Sequence, residues 1–114
     1  MTAAIISVTE NGAKRSVLLS EKMNVKGFEC KRFCYSKYIS DSAESYENIS
    51  ILVKRIFSEY DILIFICACG IAVRTISPFI KSKISDPAVI VMDEQFKYVI
   101  PILSGHLGGA NRIS

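Results

Sequence analysis

Two features that mark other protein classes are missing from this sequence: a long apolar segment and a run of basic residues. The longest apolar run, residues 62–69, falls far short of the roughly 20 residues that a membrane-spanning helix needs. The first four residues carry no basic side chain, and the apolar stretch at residues 5–8 is too short for a secretory leader. We therefore predict a cytoplasmic protein with no membrane partner.

The distribution of charge argues against nucleic acid as a partner and only weakly favours any other partner. Lysine and arginine together number 14, and aspartate and glutamate number 11, so the formal net charge is +3. No basic cluster is dense enough to follow a phosphate backbone, so nucleic-acid binding has no support. The small positive excess suits a polyanionic small molecule, but it is also common on an ordinary protein surface.

The spacing of the cysteines and of the glycines argues against two kinds of site. Cys30, Cys34, Cys67 and Cys69 match none of the usual zinc-binding patterns. Buried free thiols are expected instead, with Cys67 and Cys69 on one side of a strand. The glycines match neither the dinucleotide fingerprint nor the P-loop, so a nucleotide or phosphate site is an alternative that spacing does not support.

Four largely apolar runs and one poorer segment predict five strands. The runs are residues 3–8, 61–69, 88–93 and 98–103, and the poorer segment is residues 28–33. One helix is predicted at residues 13–23. A second, amphipathic helix is expected to begin at a capping pair formed by Asp41 and Glu44 and to reach Tyr60, because its apolar residues recur every three or four positions. A short helix around Arg74 is expected to break at Ser77 and Pro78.

The order of these elements predicts an α/β fold. The unbroken apolar run at residues 61–69 is typical of a central parallel strand that is buried on both faces. Only residues 94–97 separate the last two strands, and so short a link joins antiparallel neighbours. We expect a single α/β domain over residues 1–114, with three α/β/α layers and a mixed, mostly parallel sheet of about five strands.

Polar residues follow two of the predicted strands, at the ends where open α/β sheets bind ligands. Gly70 would permit a sharp turn, and Arg74 beyond it can clamp a carboxylate. Asp93 and Glu94 can serve as a general base or orient a water molecule. Ordinary structural roles explain both pairs as well: a strand-to-helix turn with a solvated arginine, and an acidic hairpin turn.

A glycine-rich segment with the sequence SGHLGGAN, residues 104–111, follows the last predicted strand. Its glycines would allow a ligand to approach the backbone closely. His106 is the only histidine of the chain and would titrate near neutral pH without a shift in its pKa. The segment is therefore a candidate for proton transfer, although a structural histidine that hydrogen-bonds the loop would look the same in the sequence.

Four segments, taken together, resemble the CbiG family of cobalamin-biosynthesis proteins. They are GIAVR at residues 70–74, KISDP at 83–87, the strand end at 91–94 and SGHLGGAN at 104–111, in the order and spacing of that family. The resemblance is strong from residue 70 to residue 111. Before residue 70 it is limited to a general agreement of the strand and helix pattern.

The resemblance implies an enzyme of the anaerobic cobalamin pathway, a cobalt-precorrin-5A hydrolase. Such an enzyme opens the ring-A δ-lactone of a cobalt-corrinoid substrate and releases acetaldehyde, giving cobalt-precorrin-5B. It implies no resident cofactor and no protein metal site, because the substrate carries the cobalt. Family members continue into a C-terminal domain, so we expect an N-terminal portion whose protein partner is that domain or a second copy of the chain. A corrinoid-binding domain without catalytic activity is the alternative.

Lactone opening requires a base for water and donors for an oxyanion, and these needs suggest roles for the candidate residues. His106 is the first candidate for the base, and Asp93 or Glu94 would orient it or replace it. The remaining candidates would contact the substrate. They are Gly70, Arg74, Lys83, Ser104, Gly105, Gly108, Gly109 and Asn111.

Overall fold

The computed structural model describes residues 1–38 and 43–103. Within them the chain forms six strands, three α-helices and two short 3-10 helices at Ser36–Tyr38 and Ser77–Phe79. In chain order the main elements are β1 (Thr2–Ser7), α1 (Glu10–Val25), β2 (Glu29–Tyr35), β3 (Glu44–Tyr46), α2 (Ile49–Ile56), β4 (Ile62–Ile66), α3 (Cys69–Ile76), β5 (Ala88–Met92) and β6 (Val99–Leu103). No helix of this part of the chain is long and apolar enough to cross a membrane.

The strands form one sheet in the order β3-β2-β1-β4-β5-β6. All neighbours pair in parallel except β5 and β6, which are antiparallel. Helix α1 covers one face of the sheet, and α2 and α3 cover the other. The predicted three-layer, mixed and mostly parallel α/β fold is therefore confirmed, with six described strands rather than about five.

Two hydrophobic clusters, one on each face of the sheet, form the core. Alternate residues of β1 divide between them, so Ala4 and Ile6 face α2 and α3, whereas Ala3 and Ile5 face α1. All five residues of β4 are buried. A strand covered on both faces needs apolar side chains in both directions, which explains the unbroken apolar run of the sequence.

The amphipathic helix begins later than predicted. Glu44 and Tyr46 lie in β3, and Asn48 is the residue that caps α2, where its side chain accepts a hydrogen bond from the Ile51 N–H at 3.1 Å. The Glu44 carboxylate instead forms ion pairs with Lys31 and Arg55. The capping prediction failed because the three residues of a short strand before a helix can continue the apolar periodicity of that helix. Asp41, the other residue of the predicted capping pair, lies outside the described residues.

The central strand is shorter than predicted, and the helix after it begins earlier. Strand β4 ends at Ile66, and Cys69 is already the first residue of α3, so Cys67 and Cys69 do not share a strand. Gly70 lies within α3, its φ is outside the left-handed region, and a Cβ there would meet no atom within 4 Å. The predicted need for glycine at a sharp turn is therefore wrong.

The predicted antiparallel hairpin of β5 and β6 is confirmed, but its connection is longer, because residues 93–98 all lie between the strands. Phe96 adopts a left-handed backbone conformation in this connection, with a φ of 59°. In β6 the pairing shifts by one residue near Ile90, and Pro101 lies beside that shift. A proline, which has no N–H to donate, is tolerated in an edge strand of this kind.

Candidate functional site

The residues predicted from the sequence divide between two opposite edges of the sheet. The carboxyl edge, where β1, β4 and β5 end, has Gly70, Asp93 and Glu94 nearby. The amino edge, where β4 and β5 begin, has Lys83 in the segment that precedes β5. The length of β5 separates the edges by about 13 Å, since each residue of a strand advances by about 3.3 Å. One compact site therefore cannot include both groups.

The carboxyl edge contains an open cleft of about 580 Å³. It lies where the connections after β1 and β4 run to opposite faces of the sheet, which is the usual ligand position in such folds. Its walls come from the ends of three strands. They are Val8, Thr9, Cys67, Ala68, Ile71, Asp93, Glu94, Gln95, Lys97 and Tyr98.

Asp93 caps the connection between β5 and β6. Its Oδ1 accepts a hydrogen bond from the Tyr98 N–H at 2.7 Å, and its Oδ2 accepts one from the Gln95 N–H at 3.3 Å. The bond from Tyr98 is the main reason that the pKa of this carboxyl lies below its usual value. Asp93 therefore has a turn-forming role that is independent of catalysis, and a lowered pKa makes a carboxylate a weaker base.

Glu94 is held at the start of α1. The Thr9 hydroxyl donates to Glu94 Oε1 and also accepts a hydrogen bond from the Gly12 N–H at 2.9 Å, which makes Thr9 the N-cap of α1. The guanidinium of Arg15 lies 5.6 Å from the ring centre of Phe96 and joins the same helix to the same connection. The two acidic residues are thus fixed by contacts on different elements, and both line the cleft.

Arg74 lies in the second half of α3, which starts at the carboxyl edge and runs back along the sheet. Arg74 is exposed, and none of the ion pairs among the described residues includes it. It does not line the cleft at the carboxyl edge. The structure therefore leaves Arg74 available to an anionic ligand but does not join it to Asp93 and Glu94.

The amino edge contains a second cavity, of about 340 Å³. The segment before β5 and the end of β6 form its walls. Its lining residues are Ile80, Ser82, Lys83, Asp86, Pro87, Ile102 and Leu103. Asp86 is only 6% exposed, and its Oδ2 accepts hydrogen bonds from the N–H groups of Lys81 at 2.8 Å and Ser82 at 3.0 Å.

The SGHLGGAN segment, with Ser104, Gly105, His106, Gly108, Gly109 and Asn111, lies outside the described residues. Its attachment point is described, however: Leu103 pairs with Val89 and lines the amino-edge cavity. Because β6 is antiparallel to its neighbour, its last residue is at the edge opposite Asp93 and Glu94. The strand ends that precede the candidate residues therefore lie at both edges of the sheet.

Asp86 is a site candidate that the sequence reasoning missed. It belongs to the KISDP segment, of which only Lys83 was selected, and an aspartate before a proline usually indicates a turn. A signal was present, since this turn lies in one of the four segments that carry the family resemblance. The burial of the carboxylate and the position of the cavity come from the tertiary structure alone.

The cysteines and carboxylates of the described residues do not form a metal site. All four cysteines are free, with Cys34 and Cys67 buried and Cys30 and Cys69 half-buried. Residues 1–38 and 43–103 contain no group of three or more histidine, cysteine, aspartate or glutamate side chains placed to hold a metal ion. Burial raises the pKa of the Cys67 thiol to about 11, so this group is protonated at neutral pH.

Comparison with known proteins identifies relatives over the whole chain. A cobalt-precorrin-5A hydrolase from Salmonella typhimurium is 52% identical over 61 residues, which cover 54% of this chain and 17% of that protein. A cobalt-precorrin-5A hydrolase from Priestia megaterium is 32% identical over 118 aligned residues, which cover 97% of this chain and 30% of that protein. The chain thus spans less than a third of the length of these relatives.

A solved structure supports the same relationship. The crystal structure of a cobalamin biosynthesis protein G homologue from Sulfolobus solfataricus superimposes with a TM-score of 0.77 at 29% sequence identity. The match covers 98% of this chain and 32% of that one. Residues 51–114 match the model of the family described as cobalamin synthesis G N-terminal. That segment is more than half of the chain, and the chain therefore belongs to the cobalamin synthesis G N-terminal family.

Proposed function

We propose that this chain acts in cobalamin biosynthesis as the N-terminal part of a cobalt-precorrin-5A hydrolase. One observation carries the proposal: the family match at residues 51–114 includes every candidate residue, from Gly70 to Asn111. The relative that is 52% identical over 61 residues is a cobalt-precorrin-5A hydrolase. The proposed reaction is hydrolysis of the ring-A δ-lactone with release of acetaldehyde, which gives cobalt-precorrin-5B.

The substrate proposed here is a flat macrocycle that carries several carboxylates and its own cobalt ion. The lactone carbonyl must be attacked by water, and the attack requires a base and donors for the oxyanion. His106 is the proposed base, and the backbone N–H groups near Gly108 and Gly109 are the proposed donors. Arg74 and Lys83 are exposed cations that can contact substrate carboxylates.

The carboxylates of the carboxyl edge are the alternative source of the base. Asp93 and Glu94 line the larger cleft, but Asp93 is hydrogen-bonded by two backbone N–H groups and Glu94 by the Thr9 hydroxyl. These contacts account for both residues without catalysis. We therefore give His106 precedence and use Asp93→Asn and Glu94→Gln to test the alternative. Glu94→Gln keeps an acceptor oxygen for the Thr9 hydroxyl, and Asp93→Asn keeps one for the Tyr98 N–H but loses the acceptor of the Gln95 N–H.

The test is an acetaldehyde assay on the purified chain with cobalt-precorrin-5A. We expect release of acetaldehyde and a loss of about a hundredfold or more in His106→Ala, the usual range for removal of a general base. The free energy of unfolding of that variant should stay close to that of the unsubstituted chain. If Asp93→Asn or Glu94→Gln abolished release while His106→Ala did not, the base would lie at the carboxyl edge.

Two other functions are outcomes of the same assay. Binding of cobalt-precorrin-5A without acetaldehyde release would indicate a corrinoid-binding domain, and addition of the remaining region of a longer relative would then be expected to restore turnover. Nucleotide binding without corrinoid binding would contradict the proposal. The strand order is compatible with a nucleotide site after β1, but the residues there do not suit one. The segment Val8 to Gly12 contains one glycine. It also places the negative charge of Glu10 in the first turn of α1, where a diphosphate would need hydrogen-bond donors.

A further inference from the structure

The amino-edge cavity contains a buried carboxylate with one oxygen committed and one oxygen open. Both N–H groups that bind Asp86, from Lys81 and Ser82, donate to Oδ2. No described residue donates a hydrogen bond to Oδ1, and no buried side-chain oxygen of the described residues lacks a hydrogen-bond partner. Oδ1 therefore retains accessible surface, and Asp86 lines the cavity. The two hydrogen bonds that Asp86 contributes to the turn at residues 81–86 both use Oδ2, so Oδ1 is not needed for the turn.

The groups beside Asp86 differ from it in charge and in hydrogen-bonding capacity. Lys83 is exposed and lines the cavity. The Ser82 hydroxyl accepts a hydrogen bond from the Ile84 N–H at 3.0 Å, which leaves its hydrogen free to donate. The backbone holds this turn closed, because the Asp86 N–H donates to the Ser82 carbonyl at 3.0 Å. The cavity therefore offers one fixed acceptor close to a cation and a hydroxyl donor.

The remaining walls of the cavity are apolar. Ile80, Pro87, Ile102 and Leu103 surround the polar groups, so a ligand with a short hydrocarbon arm can bury that arm here. A ligand with only a carboxylate would be repelled by the Asp86 carboxylate. A ligand with only a hydrogen-bond donor would make no ion pair with Lys83. The combination fits a group that carries a carboxylate and, close to it, a hydroxyl.

We propose that the amino-edge cavity binds a hydroxycarboxylate group, with Lys83 contacting the carboxylate and Asp86 Oδ1 accepting a hydrogen bond from the hydroxyl. This inference rests on the proposed function for the identity of the ligand: the carboxylate then belongs to the periphery of the corrinoid. It places that contact at the amino edge of the sheet, away from the larger cleft, and it makes Asp86 a substrate-binding residue.

The first experiment uses two small acids that differ by one hydroxyl group, malate and succinate. Each is titrated into the ¹⁵N-labelled chain, and amide shifts of residues 81–86 are followed together with those of residues 93–98. We expect shifts at residues 81–86 only, with malate bound roughly tenfold more tightly than succinate, as suits one hydrogen bond to a charged acceptor. An absence of shifts at residues 81–86, or equal affinity for the two acids, would overturn the proposal.

Three variants separate the roles of the two charged residues. Asp86→Asn keeps an oxygen for the Lys81 and Ser82 N–H groups but turns the open acceptor into a donor, so it should abolish the preference for malate without unfolding the turn. Lys83→Gln should weaken both acids equally, and Lys83→Arg should restore binding. Lys54→Gln, on the exposed side of α2, is the matched control and should change neither affinity. A preference for malate that persists in Asp86→Asn would remove Asp86 from the site.

A titration with cobalt-precorrin-5A separates failure of this site from failure of the proposed function. If malate binds as expected but the corrinoid does not bind, the cavity is a site and the hydrolase proposal fails. If the corrinoid binds and releases acetaldehyde with unchanged affinity in Asp86→Asn and Lys83→Gln, the hydrolase proposal stands and this site is wrong. Agreement of both proposals requires that the two variants weaken corrinoid binding.

Discussion

The hydroxyl of Tyr46 donates a 2.6 Å hydrogen bond to the backbone carbonyl of Ser7. The two residues lie on β3 and β1, with β2 between them, so the bond ties the edge of the sheet to its centre. Both residues are buried, and burial is the main reason that the pKa of Tyr46 is raised well above its usual value. A strand of only three residues is thus held by a side chain as well as by its pairing with β2.

Replacement of Tyr46 with phenylalanine should destabilise the fold by about 1 to 3 kcal/mol, because the Ser7 carbonyl loses a donor in a buried position. Chemical denaturation of both proteins measures this difference. Tyr98→Phe is the matched control: Tyr98 is 65% exposed, and its loss of a hydroxyl should change stability by less than about 0.5 kcal/mol. Equal effects of the two substitutions would show that the bond to Ser7 contributes nothing.

Alkaline pH should destabilise the protein through Cys67. Burial raises the pKa of this thiol from 9.0 to about 11, so the folded state retains a proton that the unfolded state releases. The contribution is complete below pH 9 and is lost as the pH rises towards 11. The free energy of unfolding should therefore fall over this window, with a slope from this group of at most about 1.4 kcal/mol per pH unit.

The variant that tests this source is Cys67→Ala, which removes the titrating group whatever its effect on stability at neutral pH. Denaturation of both proteins at several values between pH 8 and pH 11 gives the two slopes. The slope should be smaller in the variant, although Cys30 and Tyr46, whose pKa values are also raised, will leave part of it. Identical slopes would mean that the thiol of Cys67 ionises equally in both states.

The N-cap of α1 should be sensitive to the loss of one hydroxyl. Thr9→Ala removes the acceptor of the Gly12 N–H and the donor to Glu94 Oε1, and we expect a loss of about 1 kcal/mol in the free energy of unfolding. Thr9→Ser keeps the hydroxyl and should retain most of the stability. If serine were as destabilising as alanine, the methyl group of Thr9 and not its hydroxyl would account for the effect.

Arg74 should contribute to substrate affinity through its charge. We expect Arg74→Ala to weaken binding of cobalt-precorrin-5A, with a loss that shrinks as the salt concentration rises, because an exposed ion pair is screened by salt. Binding titrations at low and high salt measure this dependence, with Lys54→Gln as the control for a change in overall charge. Unchanged affinity at low salt would assign Arg74 a structural role.

Hydrophobic patterns in the sequence predicted the parts of the fold that burial controls. The runs at β1, β4 and β5 are apolar because those strands are covered on both faces. Strand β3 escaped prediction because its sequence, Glu44-Ser45-Tyr46, has no apolar run and depends on β2 and on the Tyr46 hydroxyl. Patterns report how a segment is buried, and they do not report which neighbour it pairs with.

The candidate site shows the same division between local and tertiary information. The sequence identified Asp93, Glu94 and Lys83 as chemically capable residues, but it did not show that the length of β5 separates them. Asp86 was visible only as part of a turn, since its partners Lys81 and Ser82 and its burial result from the folded segment. The residues of a binding site must lie close together in space, and their spacing along the sequence does not show whether they do.

The α/β class, the antiparallel hairpin and the family could all be predicted before folding was considered, because apolar periodicity, link length and ordered motifs are properties of residues that are near in sequence. The edge of the sheet at which each candidate residue lies became known from the folded chain. The antiparallel direction of β6 brings Leu103 to the cavity beside Lys83 and Asp86, at the edge opposite Asp93 and Glu94. The direction of a strand fixes the edge of the sheet at which it ends, and antiparallel pairing with β5 sets the direction of β6.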